Sequence, residues 1–133
     1  SYHHTAPVNA LYGLHEGLRR LQEEGLEQSW ARHAATHAQL AQGLGALGLD
    51  FVVDAAHRLP QLNSVWVPEG VDDAATRHAL LHEHGIEIGA GLGPFAGKVW
   101  RIGLMGETAR AENVDRLLAA LSTVLNRNIK AAE

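Results

Sequence analysis

The chain has 133 residues, 46% of them hydrophobic, and a formal net charge of −4 with histidine counted as neutral. That length allows a hydrophobic core within one compact domain, and the acidic balance argues against a nucleic-acid surface, which needs a basic face. No apolar run approaches the roughly 20 residues of a membrane span, and with no cysteine the chain has no disulfide, thiolate metal site or cysteine nucleophile, which suits a cytoplasmic protein.

The opening Ser1-Tyr2-His3-His4 is polar and does not read as a signal peptide. Without an initiator methionine, it reads as the start of a piece of something longer. Pro7 predicts a first helical turn, where its missing N–H is not needed. From there Leu11, Leu14, Leu18 and Leu21 recur at spacings of three and four as far as Glu24, and Gly25 stops the helix. A second helix is predicted from Glu27 to Leu47, with Trp30, Ala34, His37, Leu40, Leu44 and Leu47 near one stripe and Gly48 at its end.

"LDFVVD" (49–54) and "LNSVWV" (62–67) predict two short strands. Asp72 or Asp73 is expected to cap a third helix with Ala75, Ala79 and Leu80 inward, ending at His84-Gly85. "IEI" (86–88) predicts a brief third strand. A loop holding Gly89, Gly91, Gly93, Pro94 and Gly97 leads to a fourth, "GKVWRIGLMG" (97–106). The last helix has the clearest period, with Val114, Leu117, Leu118, Leu121, Val124 and Leu125 on one face. The fold class expected is α+β: a small, mainly antiparallel sheet with helices packed on one face, preceded by a long linking helix.

Arg101 interrupts an apolar strand. Trp100 and Ile102 share one face, which leaves Arg101 on the other with Val99 and Gly103. A guanidinium there needs an anion. A carboxylate ligand would fit its planar fork, and so would an internal salt bridge to Glu87. The glycines of 89–97 could let backbone amides approach a phosphate. A dinucleotide fingerprint needs a helix directly afterwards, however, and here Pro94 and a strand follow. A mobile loop beside a ligand and a plain long turn both remain open.

Nine histidines include the pairs His33/His37 and His78/His82, each on one helical face, with His84 close by. No HExxH pattern and no carboxylate at ligand-like spacing accompany them, so no metal is expected and these read as surface imidazoles. Tyr2 and Thr5 place hydroxyls just ahead of a helix N-terminus, where an anion is favoured. An N-cap threonine with a packed tyrosine would look the same.

Taken together, "YHHTAPVNALYGLHEGL", "EEGLEQSWARH", "GIEIGAGLGPFAGKVWRIGLMG" and "ENVDRLLAAL" resemble the C-terminal portion of class V aminotransferases. The nearest branch is that of alanine–glyoxylate and serine–glyoxylate (serine–pyruvate) aminotransferases. The resemblance implies a homodimeric fold-type I enzyme that uses pyridoxal 5'-phosphate and amino and keto acids as substrates. It implies that Arg101 binds the substrate α-carboxylate. Tyr2 and Thr5 would reach the cofactor phosphate of the other subunit, and Gly91, Leu92 and Gly93 would flank the substrate entrance.

The family's Schiff-base lysine has no counterpart in Lys98 or Lys130, the only lysines here. The resemblance therefore places that lysine, with the pyridinium aspartate, in a large domain upstream of Ser1, and no catalysis is expected from this chain alone. Residues 1–25 would then be a linking segment and 26–133 the small domain. Without its large domain, the chain is expected to expose apolar surface along Leu11, Tyr12, Leu14 and Leu18 and to self-associate. A ureidoglycine–glyoxylate aminotransferase, or a non-catalytic carboxylate-binding or dimerisation module, are the alternatives.

Overall fold

Helix α1 spans Val8–Glu24 and begins, as Pro7 predicts, without any side chain capping its first turn. The structure, a computed structural model, describes residues 3–131, with side chains through residue 126. Contacts gather the chain into two compact units, Ser1–Ala31 and Arg32–Glu133. In the first, Gly25 (φ 86°) returns its N–H to the Leu21 carbonyl at 2.9 Å. Side chains rarely adopt that φ, so glycine sets the stop. No residue of α1 is buried, and Val8, Leu11, Leu14 and Leu18 are 49–58% exposed. On its polar side, Arg19 and then Arg20 donate to Glu16 at 2.7 and 2.9 Å, which holds that carboxyl down to about 2.

Helix α2 spans Leu26–Ala46, within a residue of the predicted span. Its buried stripe differs from the expected one. His33, Thr36, Leu40 and Leu44 are buried, whereas Trp30 and Ala34 are exposed. Thr36 can turn inward because its hydroxyl is satisfied locally, by the Arg32 and His33 carbonyls at 3.0 and 3.1 Å. Apolar periodicity does not register such a residue.

In the second unit, β1 (Leu62–Trp66), β2 (Gly89–Ala90) and β3 (Val99–Gly103) form a sheet in the order β1-β3-β2, with both pairings antiparallel. Asn63, Val65, Trp100 and Ile102 make its inner face and are almost fully buried. They join Leu40 and Leu44 of α2, Leu80 of α3 (Asp73–His84) and Val114, Leu117 and Leu121 of α4 (Ala111–Ala131) in one core. The helices thus cover one face, as expected. Leu62, Ser64, Trp66, Arg101 and Gly103 stand on the other.

Two strands differ from expectation. Residues 49–54 form only a bridge, Phe51 opposite Val65, because the Asp54 carboxylate takes the Ala56 amide at 2.9 Å and turns the chain away. Pairing expected at 86–88 occurs instead at Gly89–Ala90. The Ile86 amide is already committed to the Leu80 carbonyl at 3.0 Å, in the turn that Gly85 (φ 65°) closes at the end of α3. Of the two candidate caps, Asp72 accepts the Ala75 amide at 2.7 Å.

Candidate functional site

Arg101 sits on the central strand, fixed on either side by fully buried Trp100 and nearly buried Ile102. Alternation then sends its side chain to the face that no helix covers. It lies opposite Ser64 on β1 and opposite Gly89 on β2, and it is half-buried. Its Nε donates to the Ala90 carbonyl at 2.7 Å. No carboxylate among the described residues pairs with it, and the salt bridge to Glu87 that the sequence left open does not form.

The four N–H groups on its two Nη atoms therefore remain for a ligand, in a fork that matches a carboxylate. Glycines make the space. A Cβ at Gly89 would meet Nη2 at 3.4 Å and Nε at 3.5 Å, and exposed Gly103 leaves the next position along the strand open. A second guanidinium borders this face. Arg58 is held by the Val53 carbonyl at 2.8 Å and lies 4.0 Å from the Phe51 ring centre. Both residues line a cavity of about 170 Å³ with Leu62 and Ser64.

The glycine-rich loop is a closed turn rather than an open cradle. Gly93–Phe95 form one 3-10 turn with Pro94 near its start and Gly93 at φ 54°. The Phe95 and Ala96 amides return to Leu92 and Gly93. Gly91 is buried, and a Cβ there would lie 2.0 Å from the Phe95 carbonyl oxygen. The Phe95 ring rests against Trp66, with centroids 5.9 Å apart, so the turn folds over the outer face beside the Arg101 strand. Leu92 is 66% exposed at its tip.

Thr5 is exposed in the first unit, three residues ahead of α1, and Tyr2 lies outside the described residues. The first turn of α1 holds no acidic residue, so nothing there opposes an anion at its amides. Lys98 is exposed, and its backbone stitches β3 to both neighbours, its N–H to Phe95 and its carbonyl to Val67. The side chain of Lys130 falls beyond those described.

Two histidines are not the surface imidazoles expected. His33 is buried and its Nε2 accepts the Gly106 amide at 3.1 Å, while His37 Nδ1 meets the Asn63 side chain at 2.7 Å. Each solves a backbone or amide problem inside the fold. His78 and His82 are exposed as expected, with ring centroids 4.1 Å apart. Among the described residues no three His, Asp or Glu side chains are arranged to hold a metal. Sequence reasoning missed Ala90, whose part in the site is a carbonyl, and Ser64, which only strand register places beside Arg101.

Comparison with known proteins bears on this site. The aminotransferase class-V family model matches residues 1–117. The (S)-ureidoglycine–glyoxylate transaminase of Bacillus subtilis is 45% identical over 126 residues, covering 95% of this chain and 30% of that protein. Alanine–glyoxylate aminotransferase of Callithrix jacchus is 52% identical over 125 residues, covering 93% and 30%. A crystal structure of alanine–glyoxylate aminotransferase from Nostoc sp. superposes with a TM-score of 0.89 at 50% identity, over 94% of this chain and 33% of that one. The chain thus spans about a third of the length of the relatives it matches.

Proposed function

The chain belongs to the aminotransferase class-V family, and from that premise we propose that it is the C-terminal portion of a pyridoxal-phosphate enzyme. That enzyme moves an amino group from alanine or serine to glyoxylate or pyruvate. The observation that carries the reading is Arg101, half-buried, tethered through Nε to Ala90 and unpaired at both Nη atoms. Glyoxylate appears in the names of the two relatives described, and both amino and keto acids offer the carboxylate this fork takes.

In this reading residues 1–25 link to a large domain and residues 26–133 form the small domain of a cytoplasmic homodimer. The absence of cysteine supports that address. Tyr2 and Thr5 contact the cofactor phosphate of the second subunit. The exposed Thr5 hydroxyl and the acid-free, uncapped first turn of α1 suit a phosphate. When bound, the cofactor supplies the electron sink that makes the substrate α-proton labile.

This chain contributes binding and orientation. Two parallel N–H···O bonds from the Nη atoms set the plane and distance of the substrate carboxylate. Because Nε is already taken by Ala90, the guanidinium holds one rotation and offers the carboxylate one approach. The Cα–H bond, one carbon away, then inherits a fixed direction, which is the part of catalysis that positioning supplies. Proton transfer is assigned to a lysine outside this chain, since neither Lys98 nor Lys130 corresponds to it.

The experiment is steady-state kinetics of the full-length protein with Arg101→Ala and Arg101→Lys. Alanine at this position raises KM for both amino and keto acids by about 100-fold or more, and cofactor absorbance persists. Lysine keeps the charge without the fork and falls between. An unchanged KM in Arg101→Ala would remove the carboxylate role. The 45% identity to the Bacillus subtilis transaminase favours ureidoglycine as a second amino donor, and comparing kcat/KM for alanine, serine and ureidoglycine separates the two readings.

A further inference from the structure

Arg101 depends on a residue that never reaches a ligand. Its Nε is tethered to the Ala90 carbonyl at 2.7 Å, so the direction of the fork follows the position of β2. Only two residues, Gly89 and Ala90, form that strand, and both pair with β3 alone. Such a short edge holds its place only if something beyond it locks it.

The lock is the next residue. A Cβ on Gly91 would lie 2.0 Å from the Phe95 carbonyl oxygen and 2.6 Å from its carbon, both backbone atoms that cannot swing aside. That same oxygen accepts the Lys98 amide at 3.0 Å, and Lys98 is the residue that leads into β3. One carbonyl is thereby seated against the end of β2 and bonded to the start of β3. The φ of Gly91 is not in the left-handed region; the glycine is needed for the approach of another backbone.

We propose that Gly91 is a positioning residue for Arg101, admitting the Phe95 carbonyl where a side chain would stand and so holding the Ala90 carbonyl on Arg101 Nε. This rests on the carboxylate role of Arg101 and adds a residue to it. Any side chain at position 91 displaces either the Phe95 turn or β2, and the tether lengthens. The guanidinium then samples several rotations, and the carboxylate loses its single approach.

The test compares Gly91→Ala, Ala90→Gly, Arg101→Ala and the two doubles carrying Arg101→Ala, in the full-length enzyme with its cofactor. Gly91→Ala raises KM for amino and keto acids about 10-fold or more with a smaller loss of kcat. Ala90→Gly introduces no clash and only loosens the tethering residue, so it folds and raises KM about two- to threefold. In the Arg101→Ala background neither substitution changes KM further, because both act through the guanidinium. A KM unchanged in Gly91→Ala while Arg101→Ala raises it, or equal effects with and without Arg101, overturns the positioning role and leaves the proposed function standing. An unchanged KM in Arg101→Ala itself removes the function reading instead. If Gly91→Ala does not fold, Ala90→Gly decides alone, and no Arg101-dependent change in KM overturns the proposal.

Discussion

The Trp100 indole donates its N–H to the Asp73 carboxylate at 3.0 Å, joining the centre of the sheet to the first turn of α3. The same carboxylate takes two hydrogen bonds from Arg77, at 2.7 and 3.1 Å. Asp73 is thus a knot between strand, helix and a neighbouring cation, and it lies directly behind the strand that presents Arg101.

Asp73→Ala leaves the indole N–H of a fully buried tryptophan without its partner, and the expected loss is about 2 kcal/mol of unfolding free energy. The pH dependence follows from the hydrogen bonds of Arg77 and, less, of Trp100, which hold the Asp73 carboxyl below its usual 3.8. A carboxyl depressed on folding stabilises above its unfolded value and loses that contribution as pH falls through its folded one. Urea titrations should therefore show the native chain losing stability below about pH 4. Asp73→Asn keeps an acceptor for Trp100 but should flatten that decline. An equally steep decline in the Asn variant would dissociate Asp73 from it.

Asn63 is 2% exposed on the inner face. Its amide donates to the Pro60 and Ile102 carbonyls, both at 3.3 Å, so its oxygen must face His37, whose Nδ1 donates at 2.7 Å. Asn63→Ala strands those partners, and a loss of about 2–3 kcal/mol is expected. Chemical denaturation reads it, and a loss under about 1 kcal/mol would mean that water replaces the amide.

Gly43 in α2 touches Leu118 of α4 so closely that a Cβ would stand 2.1 Å from Leu118 Cδ1. Alanine gains about 0.5–1 kcal/mol of helix propensity, against about 1–3 kcal/mol for overpacking. Gly43→Ala should thus destabilise by about 1 kcal/mol. Combined with Leu118→Ala, the new methyl fills the space vacated, and the pair should be more stable than the sum of the singles predicts. Simple additivity in thermal or urea unfolding would contradict the contact.

Leu11, Leu14 and Leu18 are 52–58% exposed on one side of α1. The 133-residue chain should therefore associate with itself as concentration rises. Leu11→Glu with Leu18→Glu should return it toward a monomer in sedimentation velocity. A clean native monomer at millimolar concentration would show that the stripe is tolerated in water.

Helices were legible because their signals are local. Gly25, Gly48 and Gly85 stop the helices, Asp72 caps one, and the period of α4 falls on buried Val114, Leu117, Leu121, Val124 and Leu125. The strand at 62–67 and the two faces around Arg101 followed from alternation. What escaped was decided elsewhere in the chain. An Asx turn at Asp54 outweighed the apolar run 49–54, and a helix C-cap claimed the Ile86 amide before a strand could. Buried His33 depends on the Gly106 amide, 73 residues away. In the site, the unpaired guanidinium fits the carboxylate reading, but the Ala90 tether was invisible because a carbonyl carries no side-chain signature.

Arg101 stands on the middle strand of three. Its backbone is bonded on both flanks, so neither neighbour can shift without straining the other. The two borders are not alike. Beyond β2 lies the tight Gly91–Phe95 contact, whereas β1 presents Leu62, Ser64 and Trp66 outward without comparable constraint. For anyone redesigning substrate range, the molecule divides itself: β1 is the margin open to change, and the strands on the other side are the fixture that keeps the handle still.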